Sequence, residues 1–338
     1  MTLSIAPRVE NLVEHIERSA ELIKGVVAKT PLIALPALDD LTGATVFLKC
    51  EHLQHTGSFK ARGAAAKIMA LEAAGDHRPI ITASSGNHGL GVAYALARTG
   101  KRGSVCVPEG ASPVKVAAIR RLGIDVRHLG SEAGATEVLA RAEATKGDLV
   151  YISPYNDADV IAGQGTIGLE IADQVGSGGV DVVIVSVGGG GLASGVAAAV
   201  KSRFPSALIV GASPKNDAAM AASIQAGRIV TPESLPTLSD GTAGGIEPGA
   251  ITFELCQKLV DTWVLVTEEE IRSALKLVID TQHQLIEGAA AVAVAAAVNS
   301  GQTLAGKRVV IVSCGANISS AALATALNAN DKALSPVQ

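Results

Sequence analysis

A lysine among small residues is the first group in this chain that could do covalent chemistry. Lys60 follows Ser58 and Phe59, and glycines lie close by on both sides. Burial lowers the pKa of a lysine amine and leaves a neutral nucleophile that reacts with carbonyl groups. Most lysines are solvated surface charges, so the weight of Lys60 depends on the segments that accompany it.

A run of four glycines is the strongest physical signal in the sequence. Gly188, Gly189, Gly190 and Gly191 follow an apolar strand pattern, and a helix pattern begins at Leu192. Backbone N–H groups without side chains can converge on an anion, and the start of a helix adds positive potential. A tight turn needs fewer glycines, because each one costs entropy on folding. The run therefore favours a phosphate site.

The same run also fits a dinucleotide fingerprint of the form Gly188-x-Gly190-x-x-Ala193. That fingerprint expects an acidic residue near the end of the next strand to bind a ribose. The next strand ends at Ser213 and Pro214 without a carboxylate. A nicotinamide-dependent oxidoreductase is therefore the weaker interpretation.

A polar loop lies at another predicted strand-to-helix junction. It contains Ser84, Ser85, Gly86, Asn87 and His88. Free N–H groups, two hydroxyls and an amide suit a substrate carboxylate and a ring hydroxyl. Helix capping would explain one of these residues but not the whole loop. His88 fits a structural, hydrogen-bonded histidine better than a catalytic base.

These segments need a scaffold that brings them together. Apolar strand patterns alternate with helix patterns in both halves of the chain. The strand patterns lie at 79–83, 103–108, 125–129, 181–187, 208–212 and 308–312. Such alternation predicts a parallel sheet, whose ligands bind beyond the carboxyl ends of the strands. Each candidate segment follows a strand, so all of them are expected in one cleft. Residues 213–250 are predicted to be irregular.

Composition excludes several classes of protein. The chain has 338 residues, 48% of them hydrophobic and 2% aromatic, and a net charge of −4. Without a basic patch, no nucleic-acid partner is expected. The alanine-rich stretch at 289–298 is too short for a membrane span, and the first residues do not resemble a leader peptide. The four cysteines have no zinc-site spacing. A cytoplasmic location is expected.

The three motifs, in this order and over nearly the whole chain, resemble the serine/threonine dehydratase branch of the pyridoxal-phosphate (PLP) enzymes of fold type II. The resemblance implies an α/β fold like that of the tryptophan synthase β subunit, with two domains, each built on a mostly parallel sheet flanked by helices. It implies a small domain over residues 53–152 and a large PLP-binding domain over residues 1–52 and 153–338. It also implies a homodimer.

The resemblance implies roles for individual residues. Lys60 would hold PLP covalently and serve as general base, and Phe59 would pack against the ring. Asn87 would approach the ring hydroxyl, Cys314 the pyridine nitrogen, and Glu287 the cofactor generally. The other implied cofactor-binding residues are Gly188, Gly189, Gly190, Gly191 and Leu192. The implied substrate-binding residues are Ser84, Ser85, Gly86, Asn87, His88 and Asp240.

The implied activity is that of a PLP-dependent ammonia-lyase, or dehydratase. It would convert a 3-hydroxy amino acid of the serine or threonine type to a 2-oxo acid and ammonia by β-elimination. Small residues around Asp240, with Leu90 and Ala316 at positions where the branch has glutamine and glycine, favour a roomier pocket. A bulkier substrate such as 3-phenylserine or 3-hydroxyaspartate is therefore included in the expectation.

Other departures from the branch bear on metals and on stereochemistry. Ser213 and Ala219 stand where the branch has the acids of a divalent-cation site, so no metal is expected, although Asp217 lies nearby. Ser85 matches a serine that protonates the α-carbon in racemases of this fold, which makes a serine racemase the nearest alternative. A cysteine synthase fits less well, because that branch has threonine in place of His88. A non-catalytic binding protein would be expected to lack Lys60.

Overall fold

The computed structural model describes residues 9–328. Ten strands occur within them: β1 (Leu32–Ala34), β2 (Thr45–Cys50), β3 (Ile80–Ala83), β4 (Gly103–Val107), β5 (Asp125–His128), β6 (Val150–Tyr151), β7 (Val182–Ser186), β8 (Leu208–Pro214), β9 (Thr262–Val266) and β10 (Arg308–Ser313). The strands form a six-stranded sheet in the order β1-β2-β10-β7-β8-β9 and a four-stranded sheet in the order β5-β4-β3-β6. Every neighbouring pair is parallel except β1 and β2.

Helices connect and cover these strands. The α-helices are α1 (Val9–Leu22), α2 (Pro36–Thr42), α3 (Lys60–Ala73), α4 (Asn87–Thr99), α5 (Pro113–Arg120), α6 (Ala133–Lys146), α7 (Ala158–Val175), α8 (Gly191–Arg203), α9 (Ala219–Ala226), α10 (Ile251–Leu259), α11 (Glu268–Gln282), α12 (Gly288–Ser300) and α13 (Ser320–Asn328). The predicted alternation of strands and helices, and with it the α/β fold class, is confirmed.

The core of the larger sheet lies around β7 and α12. All five residues of β7 are buried, as expected of a strand covered on both faces. Helix α12 packs against β7, β8, β9 and β10, and its residues 288–298 are all buried. A helix made of alanine and valine on every side belongs in such a position. This packing fixes the start of α12, next to Glu287.

The prediction for residues 213–250 was wrong in part. Helix α9 lies within this region, and α10 and β9, which follow it, were not predicted either. The sequence of α9 is mostly alanine and small polar residues, so it has no marked polar face. Periodicity is therefore a weak signal there, and the packing of Met220 and Ser223 into the core stabilises the helix instead.

The four strands of the smaller sheet, β3 to β6, all come from residues 80–151. The larger sheet takes strands from both ends of the chain, since β2 pairs with β10 along its whole length. The domain boundaries predicted above remain a prediction.

A buried cluster of charges connects helix α3 to helix α7 and to the segment that follows β2. Arg62, on α3, donates to both oxygens of Glu51 at 2.8 Å and to Glu170, on α7, at 2.7 and 3.0 Å. Lys49 donates to Glu170 at 2.6 Å and to the carbonyl of Thr30 at 2.7 Å. The side chains of Arg62, Glu51 and Lys49 are at most 1% exposed. Two cations and two anions balance one another, as buried charges require.

No helix within residues 9–328 combines the length and apolarity of a membrane span. All four cysteines are free and buried.

Candidate active site

Lys60 begins helix α3 and points its amine at a backbone carbonyl. The Nζ atom donates to the carbonyl of Pro154 at 2.8 Å and lies 5.0 Å from the centre of the Phe59 ring. Desolvation lowers the pKa of the amine to about 8, although Cys314 and Glu287 act in the opposite direction. Lys60 is therefore a lysine with a substantial neutral fraction near physiological pH.

The segment before Lys60 is bound to the segment after β10. Ser58 forms an isolated antiparallel bridge with Gly315, and the N–H of Phe59 donates to the carbonyl of Cys314 at 3.1 Å. The N–H of Ala316 donates to the carbonyl of Gly57 at 2.8 Å. These bonds bring two of the predicted site segments into direct contact.

The glycine run forms a turn at the N-terminus of α8. Gly190 precedes the helix with a φ of +86°, which favours glycine. A Cβ atom on Gly189 would lie 2.4 Å from the Tyr155 ring, and one on Gly188 would lie 2.6 Å from the carbonyl of Thr242. Within residues 9–328, the N–H groups of Gly189, Gly190 and Gly191 make no hydrogen bond to protein, so they can bind an anion.

The polar loop after β3 is folded tightly at the start of α4. The N–H of Gly86 donates to Ser84 Oγ at 3.1 Å. A Cβ atom on Gly89 would lie 1.9 Å from the carbonyl oxygen of Ser84, so only glycine fits there. Ser85 is half-buried, and its hydroxyl bonds to no other residue in the part of the chain that the structure describes.

His88 is buried and bonded to the backbone. Its Nε2 lies 3.0 Å from the carbonyl oxygen of Ile152. Burial, with a smaller contribution from the charge of Lys60, lowers the pKa of His88 to about 3. A neutral imidazole with Nε2–H as donor is thus the form that fits this contact.

Glu287 accepts hydrogen bonds from two of the site segments. Asn87 Nδ2 lies 2.8 and 3.1 Å from its two carboxylate oxygens, and the N–H of Asn317 donates to Oε2 at 2.9 Å. Burial raises the pKa of Glu287 to about 7, with Asn87 acting against this shift. A Cβ atom on Gly315 would lie 2.5 Å from Oε1, so a side chain at this position would displace the carboxyl group from its hydrogen bonds.

Cys314 and Leu192 are buried, whereas Asp240 is not. Burial raises the pKa of the Cys314 thiol well above its ordinary value, and Glu287 adds to the shift, so Cys314 is neutral. Leu192 packs in the core at the first turn of α8. Asp240 is 65% exposed and pairs with Lys115 of α5 at 3.5 Å.

Sequence reasoning missed the residues that connect Lys60 to the glycine run. Pro154 accepts the hydrogen bond of Lys60, and the next residue, Tyr155, packs against Gly189 and Gly191. The N–H of Glu247 donates to the Tyr155 hydroxyl at 2.9 Å. A signal was present, because a polar segment with a proline follows the short strand β6, as the other site segments follow strands.

The predicted absence of a metal remains a prediction. Within residues 9–328, no group of three or more His, Cys, Asp and Glu side chains is arranged to hold a metal ion. The carboxylate of Asp217 accepts from Ser234 Oγ at 2.7 Å and from the N–H of Gly244 at 3.0 Å. Asp217 therefore secures the loop that carries Thr242 against the glycine run.

The site suits an aldehyde cofactor that carries a phosphate and a ring. The helix start of α8 offers free N–H groups to the phosphate, and Lys60 offers a partly neutral amine to the aldehyde. The hydroxyls of Ser58 and Ser313 are buried without a partner in the described structure, so the site contains unsatisfied polar atoms. The residues present therefore fit PLP.

Comparison with known proteins gives a consistent result. The family model described as "Pyridoxal-phosphate dependent enzyme" matches residues 23–315. An L-threonine ammonia-lyase of Thermotoga maritima is 42% identical over 305 residues, covering 90% of this chain and 75% of the relative.

Two solved structures share the fold closely. A processed threonine deaminase isoform 2 from Solanum lycopersicum matches with a TM-score of 0.88 and 34% identity, over 94% of this chain and 87% of the other. A maize serine racemase matches with a TM-score of 0.86 and 30% identity, over 93% of this chain and 96% of the other.

Proposed function

Because the chain belongs to the pyridoxal-phosphate dependent enzyme family, we propose that it is an ammonia-lyase acting on 3-hydroxy amino acids of the serine and threonine type. The observation that carries the proposal is the desolvated amine of Lys60, with a pKa of about 8, held 2.8 Å from the Pro154 carbonyl. The names of the threonine ammonia-lyase and threonine deaminase relatives support this choice of substrate class.

We assign the cofactor to the residues around that amine. Lys60 would hold the aldehyde carbon, the N–H groups from Gly188 to Leu192 would hold the phosphate, and Phe59 would pack on the ring. Asn87, Glu287 and Cys314 would also contact the cofactor. PLP, when bound, withdraws electrons from the α-carbon of the amino acid.

The protein side chains then manage protons and orientation. Lys60 Nζ, when neutral, would take the proton from the α-carbon. The C3 hydroxyl would leave as water by accepting the proton that Lys60 then carries, and hydrolysis of the resulting enamine would return a 2-oxo acid and ammonia. The loop of Ser84, Ser85, Gly86, Asn87 and His88 would bind the substrate carboxylate through hydroxyl groups and through those N–H groups that do not already donate within the protein, as Ser84 and Gly86 do. Cys314, as a neutral thiol, would place no charge beside the ring, which would favour elimination over transamination.

The test is release of 2-oxo acid by the purified holoenzyme from L- and D-serine, L- and D-threonine, threo- and erythro-3-hydroxyaspartate, and 3-phenylserine. We expect turnover of serine or threonine, and Lys60→Ala should lower it by roughly 10²–10⁴-fold, the usual contribution of a general base. Lys24→Ala, which removes a lysine that is 78% exposed, is the matched control and should retain activity. A holoenzyme that releases no oxo acid from any of these substrates would rule out the lyase.

The bulkier substrates remain in the panel as a prediction. The relatives named above do not support them, since two are named for threonine and one for serine. The homodimer also remains a prediction.

A racemase is the second candidate, because Ser85 offers a hydroxyl without a protein partner in the described structure and a maize serine racemase shares the fold. Chiral analysis of the same panel detects inversion of serine. If Ser85 supplies the second proton, Ser85→Ala loses inversion while elimination continues. Inversion that persists in this variant would exclude Ser85 from the role.

A further inference from the structure

Asn317 joins three segments of the site through its side chain and its backbone N–H. Its Nδ2 donates to the carbonyl of Thr56 at 2.8 Å and to Asn87 Oδ1 at 2.7 Å, and its backbone N–H donates to Glu287. Thr56 lies four residues before Lys60, and Asn87 begins α4. The candidate residues named from the sequence do not include this asparagine.

The direction of these hydrogen bonds follows from their end points. The Thr56 carbonyl can only accept, so the atom of Asn317 facing it must be the NH₂ group. The same NH₂ group faces Asn87, so Asn87 presents its oxygen there and turns its own NH₂ group toward Glu287. The orientation with the Asn87 oxygen toward Asn317 and its NH₂ group toward Glu287 therefore satisfies all of these hydrogen bonds, whereas the flipped amide does not.

This orientation leaves one N–H of Asn87 available. Both contacts from Asn87 Nδ2 go to the same carboxyl group of Glu287, at 2.8 and 3.1 Å. The two oxygens lie close together, whereas the two hydrogens of an amide diverge widely, so one hydrogen serves both oxygens. The second hydrogen remains for a ligand, and the Asn87 oxygen, already bonded to Asn317, does not compete for that place.

We propose that Asn317 is a positioning residue: it fixes the amide orientation of Asn87, so that Asn87 presents an N–H and not an oxygen to the ring hydroxyl of PLP. This inference rests on the cofactor assignment made for the proposed function. It does not depend on which amino acid is the substrate, or on whether the reaction is elimination or racemisation.

A purely structural role for Asn317 is the alternative, because its bond to Thr56 also ties the turn after β10 to the segment before Lys60. The two roles differ in their dependence on Asn87. A structural role would act on the cofactor site whether or not Asn87 is present, whereas the positioning role requires the Asn87 amide.

The experiment measures PLP affinity by titrating cofactor-free protein and following the visible absorbance, with no substrate present. Asn317→Asp keeps the shape but replaces the NH₂ group by an oxygen that repels the Thr56 carbonyl and the Asn87 oxygen. We expect affinity to fall about tenfold, the loss of one hydrogen bond to a charged group, together with a shifted absorption maximum. Asn317→Ala, which adds no charge, should weaken affinity in the same direction. Thermal unfolding of each cofactor-free variant verifies its folding.

A double-mutant cycle decides between the two roles. In an Asn87→Ala background, we expect Asn317→Asp and Asn317→Ala to change PLP affinity by less than about twofold, because the amide they act through is gone. Asn216→Asp is the matched control and should leave affinity and spectrum unchanged, since the Asn216 side chain donates to the carbonyl of Pro236 and to no residue assigned to the cofactor. Equal losses with and without Asn87, or no loss in either background, would overturn the proposal.

Discussion

At the scale of single residues, the reactivity of Lys60 comes from the small amount of negative charge near its amine. Its hydrogen-bond acceptor is an uncharged carbonyl, that of Pro154. The two acidic groups that influence it, Cys314 and Glu287, have pKa values raised by burial, so neither is fully charged at neutral pH. Desolvation of the amine therefore outweighs the attraction of its neighbours, and the pKa of Lys60 falls to about 8.

This pKa sets a pH dependence for cofactor loading. Below about pH 8 the Lys60 amine is mostly protonated and unreactive, and above it the amine is mostly neutral. We expect the rate at which cofactor-free protein reacts with added PLP to rise by about tenfold per pH unit below that value and then level off. Stopped-flow visible absorbance measures the rate, and Lys60→Arg, which should not load, is the control. A rate that climbs steadily to pH 10 would mean that the amine is not desolvated.

Residue chemistry is only partly visible in the sequence. Lys60 and the glycine run are recognisable because their types and spacing are unusual. The roles of Pro154 and Asn317 are not, although both residues lie in segments that follow strands. Pro154 contributes only a backbone carbonyl, and Asn317 lies more than two hundred residues from its partner Asn87. Contacts of that kind depend on the three-dimensional arrangement of the strands, which local patterns do not specify.

At the scale of elements, the turn before α8 is shaped as much by its neighbours as by an anion. Tyr155 packs against Gly189 and Gly191, and the carbonyl of Thr242 packs against Gly188. Phosphate binding alone would require the four glycines only as a source of free N–H groups. The structure adds that the turn has no room for a side chain on its protein side, so the glycines also keep the N–H groups in place.

Adding a methyl group at Gly189 tests whether the turn has room for a side chain. Gly189→Ala places a Cβ atom 2.4 Å from the Tyr155 ring, so the turn or the ring must move. Overpacking of this kind costs about 1–3 kcal/mol, and we expect PLP affinity to fall by roughly 10–100-fold. Gly134→Ala is the matched control, because Gly134 lies in α6 with open space around it and should leave affinity unchanged. Unchanged affinity in Gly189→Ala would mean that the turn adjusts freely.

Local sequence patterns predict some of the helices and strands and miss others. Helix α6 (Ala133–Lys146) follows the strand predicted at 125–129, as the predicted alternation of strands and helices requires. Helix α9 and strand β9 were missed, because one is short and alanine-rich and the other is a five-residue edge strand. Elements of this size form mainly through packing on the sheet, so local periodicity carries little information about them.

At the scale of the whole molecule, the charge cluster around Arg62 connects the site to the larger sheet. Arg62 lies two residues after Lys60, and its partners Glu51 and Glu170 come from the end of β2 and from α7. Its guanidinium also donates to Thr166 at 3.1 Å and to the carbonyl of Ala28 at 3.1 Å. Every N–H of the Arg62 guanidinium therefore donates a hydrogen bond. These bonds hold the first turn of α3 rigidly against the rest of the protein.

Removing Arg62 should therefore reduce stability sharply. Arg62→Met leaves Glu51 and Glu170 with only Lys49 as a buried cation, and we expect the free energy of unfolding to fall by about 3–5 kcal/mol. Urea denaturation of the cofactor-free protein measures this. The control is Arg203→Met, since Arg203 pairs with Glu17 at 2.9 Å with about half of each side chain exposed and should contribute less than about 1 kcal/mol. Equal small losses in the two variants would show that the cluster adds no stability.

The pH dependence of the stability lost in Arg62→Met shows whether unpaired charge or lost packing causes the loss. In the intact cluster, burial opposes ionisation of Glu170, but Arg62 and Lys49 outweigh it and lower its pKa. A lowered carboxyl pKa contributes stability that is present above the unfolded value and is lost as pH falls through the folded value. Without Arg62, Lys49 alone opposes the effect of burial, so we expect the pKa of Glu170 to be higher than in the wild type and protonation to relieve the unpaired charge. The difference in unfolding free energy between wild type and Arg62→Met should therefore be largest near neutral pH and shrink toward pH 4, whereas a loss caused by packing alone would not change with pH.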